Sequence, residues 1–431
     1  MADSYEEEIK TALQKNDQPL AAEKAKMYLE KMNNILVNIA ITGEGGAGKS
    51  TLVNALRGIR NKTEGAAPTG EVETTMEPTE YLHPEHPNIR IWDLPGVGTT
   101  NFTAAKYLKK VQFKKYDFFI IVSNDRFKEN DAKLAKEIQK VKKKFYFVRS
   151  KIDNSIHSQK AENPNVQEEE VLNIIRNYCT EELEKLGFKS PQIFLVSGLT
   201  LHLYEFKDLW ETLKEELPEH QRDALLLALP NISLDVIEQK KEALESKIKW
   251  YTLASAAVAA APVPGLSEAV NLGMIVTFTV HCAVSLGLSP TSLRKLSDLS
   301  GVPYDHLKAN ITFPLSAVEI TTKLMLEVLT SSANLITAIA VQEGVKFVPF
   351  VGIPAAMVLS GVITYKCLTY ILNSLAEDAE VIFKKEKSLA HKYSVREFFP
   401  VLRLAFMPSL THLFQTRDVR SKPSLISGNI N

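Results

Sequence analysis

The sequence predicts an α/β domain with a doubly wound, mostly parallel sheet, preceded and followed by helical segments. Two observations predict the sheet: short apolar runs recur between residues 35 and 218, and longer stretches separate them. Continuously apolar runs are typical of strands buried on both faces, and parallel strands need crossover helices between them. Outside this range the apolar residues follow a helical period. We therefore expect an N-terminal helical segment (1–34), an α/β domain (35–218) and a C-terminal helical domain (219–431).

The elements follow in order along the chain. In the first segment Ile9, Leu13 and Leu20 lie at helical spacing, with an interruption around Asp17-Gln18-Pro19. Pro218 and the charged stretch after it indicate the end of the α/β domain. We predict strands over 35–41, 89–92, 118–122, 145–148 and 193–196, crossover helices over 128–144 and 168–186, and charged amphipathic helices over 231–250 and 376–392.

Composition excludes several classes of protein. The 51 basic and 51 acidic residues balance, so no global field favours nucleic acid, whose partners normally carry a basic stripe. The three cysteines are far apart and lack CxxC spacing, which disfavours a disulfide framework and a zinc site and favours a reducing compartment. The first residues show no secretory pattern, Ala2 replaces the glycine that myristoylation needs, and no terminal cysteine offers prenylation. We expect a cytoplasmic protein.

The most specific motif is a glycine-rich loop. Its residues are Gly43-Glu44-Gly45-Gly46-Ala47-Gly48-Lys49-Ser50, a complete GxxxxGK[ST] between the first apolar run and a helical stretch that begins at Thr51. Backbone N–H groups at a helix N-terminus bind phosphate, and glycines let the chain approach it closely. We expect 43–51 to hold a nucleotide, with Lys49 at its β- and γ-phosphates and Ser50 on Mg²⁺. The alternative, a merely flexible loop, is disfavoured by the order strand, motif, helix.

A DxxG element, Asp93-Leu94-Pro95-Gly96, follows the run over 89–92. An aspartate in this place holds a magnesium-bound water, and the glycine N–H senses the γ-phosphate. The tetrapeptide is weak evidence alone. Because it follows a phosphate loop in the same predicted sheet, it favours a magnesium site at Asp93 and a phosphate contact at Gly96.

The segment Arg149-Ser150-Lys151-Ile152-Asp153 is similar to the [NT]KxD element that binds guanine. We expect Asp153 to accept hydrogen bonds from guanine N1 and N2, which adenine cannot match, and Lys151 to cover the base with its aliphatic stem. Ser150 stands where asparagine commonly braces the loop, which leaves tight nucleotide retention open. Ser197, at the end of 193–196, is either a further base contact or a turn residue.

The polar segment 65–78 has the right length for a first switch loop. A threonine is needed there to complete the magnesium shell when the γ-phosphate is present, and we favour Thr75 over Thr74. Val97 follows the DxxG glycine, so the glutamine that orients the attacking water in small GTPases is missing. Glu73 is the nearest carboxylate that could place this water, with a solvated loop glutamate as the alternative.

Together, residues 43–57, 65–77, 92–102 and 145–153 resemble the immunity-related GTPases, the interferon-inducible p47 family of vertebrates. Three features go beyond generic GTPase motifs: Gly65-Ala66-Ala67-Pro68-Thr69-Gly70, Trp92-Asp93-Leu94-Pro95-Gly96 followed by Thr100-Asn101-Phe102, and Tyr116-Asp117-Phe118-Phe119-Ile120-Ile121 followed by Arg126-Phe127. Lys49 matches the lysine-containing subgroup. The resemblance covers residues 35 to 218.

The resemblance implies a dynamin-like architecture, in which a P-loop GTPase domain is mounted on a helical domain built from both chain ends. It implies Mg²⁺-dependent hydrolysis of GTP to GDP, homo-oligomers through GTPase domains, contact with related GTPases, and reversible assembly on membranes of pathogen-containing vacuoles in innate immunity. Glu73 falls at the family's catalytic switch glutamate, so Lys49, Glu73 and Thr75 are the candidate catalytic residues. The alternative is a nucleotide-gated scaffold that binds GTP with negligible turnover.

Two strongly apolar blocks, 251–288 and 344–372, each contain a Pro/Gly turn. Residues 347–365 carry no charge, and this length is close to the roughly 20 residues that span a bilayer. The prolines and glycines favour a bent hairpin over a straight span. The blocks are therefore predicted either to fill the core of a helical bundle or to contact a membrane.

Overall fold

A six-stranded sheet lies at the centre of the α/β part of the chain. The structure, a computed structural model, describes residues 2–15, 17–70, 75–97, 103–259, 266–342 and 355–406. The strands run in the order β2-β3-β1-β4-β5-β6 and are all parallel except β2, which is antiparallel to β3. Their bounds are β1 Val37–Gly43, β2 Thr79–Leu82, β3 Ile89–Asp93, β4 Phe118–Ser123, β5 Lys144–Arg149 and β6 Ile193–Leu195.

Each of the five predicted apolar runs forms a strand, whereas β2 was missed. Its sequence, Thr79-Glu80-Tyr81-Leu82, is exposed at three of four positions and has no apolar run. An edge strand bonds to one neighbour only, so it needs little burial and carries no strong apolar signal. The mostly parallel, doubly wound sheet is confirmed, with one antiparallel edge added.

Helices cover both faces of the sheet, and β4 shows how its side chains divide. Phe118, Ile120 and Val122 join one buried cluster with the helices on one face, while Phe119 and Ile121 join a second cluster with the helices on the opposite face. This alternation follows from the two-residue period of a strand. The helices are α3 Lys49–Leu56, α4 Ala104–Lys110, the 3₁₀ helix Phe113–Lys115, α5 Glu129–Lys140, α6 Ile152–Glu162, α7 Glu168–Lys185, α8 Phe206–Glu216 and α9 Glu219–Ala228.

The remaining helices come from both chain ends and share one core. Tyr28 and Trp250, one from each end, pack with ring centroids 4.1 Å apart. The predicted interruption near Asp17 separates the first two helices, and the Asp17 side chain accepts a hydrogen bond from the N–H of Leu20 (3.1 Å). These helices are α1 Ala2–Gln14, α2 Gln18–Asn33, α10 Leu234–Ala259, α11 Leu266–Ser285, α12 Pro290–Ser300, α13 Tyr304–Lys308, α14 Thr322–Gln342 and α15 Ala355–Phe406.

Both apolar blocks contribute buried side chains to this helical core, such as Phe278 from the first and Leu368 from the second. The predicted turns at 262–265 and 348–354 lie outside the described residues, so the bent hairpin stays a prediction. Within the described part of the chain, one segment, Leu272–Ser300, is long and apolar enough to cross a membrane by length and composition, with a mean hydropathy of 1.7. Of its most apolar 18 residues, 39% are buried, so packing in the helical core accounts for part of the apolar character.

The turn between β2 and β3 fastens the sheet to the helical region. Glu85 accepts hydrogen bonds from the hydroxyls of Ser289 and Ser292 (2.7 Å each) and from Lys295 Nζ (3.2 Å), all near the N-terminus of α12. An anion is stabilised there by the helix dipole. Helix α9 contributes to the cores of both parts of the chain, so a boundary at residue 218 stays a prediction.

Candidate active site

The loop between β1 and α3 folds tightly because three of its glycines have positive φ. Gly43 (138°), Gly46 (74°) and Gly48 (92°) lie in the region that other residues rarely adopt. A Cβ on Gly43 would lie 2.0 Å from the carbonyl oxygen of Val122, so only glycine fits there. Helix α3 begins at Lys49, where the first N–H groups of a helix have no helical acceptor. Such a loop is suited to binding phosphate.

One small cavity, of about 80 Å³, brings together three of the predicted motifs. The first switch segment contributes Thr69, Gly70 and Thr75, and the guanine element contributes Lys151. The phosphate loop and the start of α3 supply Gly45, Gly46, Gly48, Lys49, Ser50 and Thr51. The sequence separates these groups by up to about a hundred residues, and the parallel sheet joins them at the carboxyl ends of its strands.

The Lys49 ammonium lies at the wall of this cavity. It donates hydrogen bonds to the carbonyl oxygens of Gly43 (3.2 Å) and Glu44 (2.8 Å), and its residue is only 7% exposed. The Glu44 carboxylate pairs with Lys128, just before α5, which ties the loop to the neighbouring crossover helix. A multiply charged phosphate would offer Lys49 stronger, charge-assisted bonds than these carbonyls do.

Two of the three predicted magnesium ligands donate hydrogen bonds to the third, Asp93. Asp93 Oδ2 accepts hydrogen bonds from Ser50 Oγ (2.6 Å) and Thr75 Oγ1 (3.0 Å). Asp93 is fully buried, and its Oδ1 has no hydrogen-bond partner among the described residues. Burial raises the pKa of Asp93, while the Ser50 bond, the charge of Lys49 and the Thr75 bond oppose that rise. Hydroxyl and carboxylate oxygens are the ligands that Mg²⁺ prefers, so this donor set fits the ion.

The segment after the DxxG glycine is held from two sides. The Val97 N–H donates to the carbonyl of Gly43 (3.3 Å), and Asn130 Nδ2 donates to the carbonyl of Val97 (2.8 Å). The Val97 side chain is fully buried in the apolar cluster against α4 and α5, so it takes no part in placing a water. Gly96 precedes this clamp. Glu73 and Thr74 lie outside the described residues.

Ser150 braces the guanine element against the phosphate loop. Its hydroxyl donates to the carbonyl oxygen of Ala47 (2.5 Å), and its N–H donates to the carbonyl of Ser123 (2.8 Å). Ser150 therefore makes the kind of loop-bracing hydrogen bond that is expected from asparagine at this position. Asp153 lies in the first turn of α6 and is half-buried, and its carboxylate makes no hydrogen bond or ion pair with another described residue. Lys151 precedes that helix with φ 55°.

Ser197 lies beside the guanine element but its hydroxyl is engaged in a turn. The Ser197 side chain is fully buried, and its Oγ accepts the N–H of Leu199 (3.2 Å). The preceding residue, Val196, accepts the N–H of Ile152 through its carbonyl (3.3 Å), which joins this loop to the start of α6. The geometry thus places Ser197 in its predicted neighbourhood and supports the turn alternative.

Comparison with known proteins identifies the family. A sequence model of a family described as Interferon-inducible GTPase (IIGP) matches residues 3–386. The chain belongs to the interferon-inducible GTPase family. Interferon-inducible GTPase 5 of Rattus norvegicus is 39% identical over 383 residues, which cover 88% of this chain and 82% of that protein. Interferon-gamma-inducible GTPase 10 of Mus musculus is 34% identical over 382 residues, covering 88% of each.

This GTPase also aligns with a solved structure described as an oligomerised bacterial dynamin pair. The alignment covers 94% of this chain and 78% of the other, with 15% sequence identity and a TM-score of 0.33. Family membership and the enzyme class, GTP hydrolysis, rest on the sequence matches.

Sequence reasoning missed three side chains that shape the site of this interferon-inducible GTPase. Asn130 holds the peptide after Gly96, and Asn54 of α3 and Arg57, directly after that helix, bind backbone groups of the first switch segment. The signal for Asn54 was available: it is a polar residue within the apolar stretch Leu52-Val53-Asn54-Ala55-Leu56 and is fully buried. No pattern in the sequence marks Asn130.

Proposed function

We propose that this GTPase hydrolyses GTP to GDP with Mg²⁺ held by Ser50, Thr75 and Asp93. The observation that carries the proposal is the convergence of both hydroxyls on Asp93, whose second oxygen is buried without a described partner. When bound, Mg²⁺ neutralises charge on the β- and γ-phosphates. The fit of these donors to the ion supports magnesium dependence.

We assign the other nucleotide contacts to the phosphate loop, the DxxG element and the guanine element. Residues 43–51 bind the phosphates through backbone N–H groups and through Lys49, and the N–H of Gly96 contacts the γ-phosphate. At the base, Asp153 accepts from guanine, and Lys151 covers the ring. Ser150 keeps this base site at a fixed distance from the phosphates through its bond to Ala47. Ser197 supports the base loop from behind.

Placing the attacking water is the role that we propose for Glu73. The buried Val97 occupies the position where small GTPases carry their glutamine, so another group must orient the attacking water. Thr75 completes the metal site, and Lys49 stabilises charge on the transferred phosphoryl group. This assignment follows from the resemblance and from the length of the switch segment.

We further propose that the protein is cytoplasmic and that GTP drives its self-association through the GTPase domains and its reversible assembly on vacuolar membranes. The apolar character of 251–288 and 344–372 supports membrane contact. The described part of these blocks also fills the helical core, so contact would use the parts that this core leaves exposed. The second candidate is a GTP-gated scaffold with negligible turnover, which the missing glutamine at Val97 favours.

The dependence of turnover on protein concentration separates these two functions. We expect GDP released per protein per minute to rise several-fold as the concentration is raised through the range of self-association, because assembly completes the site. Light scattering should rise with protein concentration along the same curve as turnover in GTP, and should stay low in GDP. Added inert protein controls for crowding. A flat rate near zero at every concentration would support the scaffold.

A further inference from the structure

Asn54 pairs with the backbone of the first switch segment in the way that a neighbouring strand would. It lies on α3, one helical turn after Ser50, and is fully buried. Its Oδ1 accepts the N–H of Ala67 (2.7 Å), and its Nδ2 donates to the carbonyl of the same residue (3.0 Å). The Nδ2 also donates to Asn61 Oδ1 (2.9 Å). One side chain thus satisfies both backbone groups of Ala67.

Ala67 needs such a partner because of its burial and its sequence neighbour. The residue is fully buried, yet it lies outside any strand. A buried N–H or C=O without a partner costs as much as a lost hydrogen bond. Pro68 follows, and proline disfavours the helical conformation of the residue before it, so a helical turn cannot supply the bonds.

The segment that Asn54 holds continues into the phosphate cavity. Thr69 and Gly70, two and three residues beyond Ala67, line that cavity together with Ser50. A second bond, from Arg57 directly after the same helix, runs from its Nη1 to the carbonyl of Gly65 (2.9 Å) and holds the segment on the other side of Ala67. Because Ser50 and Asn54 share one helix, these bonds set the distance between the phosphate loop and the start of the switch segment.

We propose that Asn54 is a positioning residue for GTP hydrolysis. It touches no nucleotide. It holds Ala67 against the phosphate-loop helix and so directs Thr69 and Gly70 across the cavity, where the γ-phosphate of GTP lies. The inference rests on the proposed function, which assigns this cavity to the phosphates. Because replacing Asn54 leaves the phosphate loop and the guanine element intact, the replacement should lower kcat more than nucleotide affinity.

The test compares Asn54→Ala and Asn54→Asp with the control Asn88→Ala. Asn88 also donates its amide to a backbone carbonyl, that of Ile35 (2.9 Å), but does not line the cavity. We expect Asn54→Ala to lower kcat by about tenfold or more, with affinities for GDP and a non-hydrolysable GTP analogue within about threefold of wild type. Asn54→Asp keeps an acceptor for the Ala67 N–H, so its kcat should lie between those of Asn54→Ala and the wild type. Asn88→Ala should keep kcat within about twofold.

Hydrogen exchange supplies a second readout should Asn54→Ala fold poorly. The amides of 65–70 should exchange faster in Asn54→Asp than in Asn88→Ala, while those of the sheet remain protected. Wild-type kcat in both Asn54 variants, or equal proportional losses of kcat and affinity, would overturn the inference. If Lys49→Ala keeps its turnover, the cavity assignment itself fails. If Lys49→Ala is inactive and both Asn54 variants match Asn88→Ala, only the role of Asn54 fails.

Discussion

Replacing Lys49 with alanine should abolish measurable GTP hydrolysis, with a loss of about a thousandfold, the upper end of what one such donor supplies. The Lys49 ammonium lies at the wall of the cavity that we assign to the phosphates, bound to the carbonyls of Gly43 and Glu44. Its removal takes a side-chain cation away from the charge that develops on the transferred phosphoryl group, and one lost donor of this kind costs roughly 10²–10³ in rate. Single-turnover GDP formation at saturating GTP measures the effect.

A matched control for this substitution is Lys133→Ala. Lys133 is half exposed on α5 and pairs with Glu129 on the same helix, so its removal should leave turnover near the wild-type value. Wild-type turnover in Lys49→Ala would show that the phosphate loop is wrongly assigned.

Glu73→Ala should reduce turnover by roughly a hundredfold and leave nucleotide affinity nearly intact. A carboxylate that orients the attacking water contacts the water more than the nucleotide, so its loss acts on the transition state. The buried Val97 leaves this role vacant at the position after Gly96. The measurement is a pair: titration with a non-hydrolysable analogue, and GTP hydrolysis at a protein concentration that permits self-association.

The exposed Glu64, nine residues earlier in the same region, provides the control, since Glu64→Ala should change neither quantity. A proportionate fall of affinity and rate in Glu73→Ala would mean that Glu73 shapes the switch and does not place water. Unaltered turnover would assign the role to a backbone group or to a residue of an associated copy.

Sequence predicted those parts of the site that depend on local chemistry. The phosphate loop was predictable because few residues other than glycine permit its backbone, and Gly43 is forced by its contact with Val122. Asp93 and Thr75 were named as metal ligands because a hard cation needs oxygen donors, and that role stays a prediction. The structure adds that the hydroxyls of Ser50 and Thr75 both donate hydrogen bonds to Asp93, which spacing alone does not establish.

Tertiary contacts account for what the sequence did not predict. The edge strand β2 has no apolar run because it is mostly exposed, and the hydrogen bonds that define it come from β3. Ser150 departed from the familiar asparagine, yet its hydroxyl reaches Ala47 because the two loops are adjacent across the sheet. The pairing of Asn54 with Ala67 likewise joins residues that are neighbours only in the fold.

The most direct test of the proposed site is a Mg²⁺ titration of GTP hydrolysis by the wild-type protein and by Asp93→Asn. Our account predicts that hydrolysis stops when EDTA removes the ion, and that Asp93→Asn needs more Mg²⁺ for half-maximal turnover and turns over more slowly at saturation. Asparagine can still accept from Ser50 and Thr75, so the change isolates the carboxylate charge. Turnover that persists in EDTA, or an identical Mg²⁺ dependence in Asp93→Asn, would contradict the assignment of Ser50, Thr75 and Asp93 to the metal.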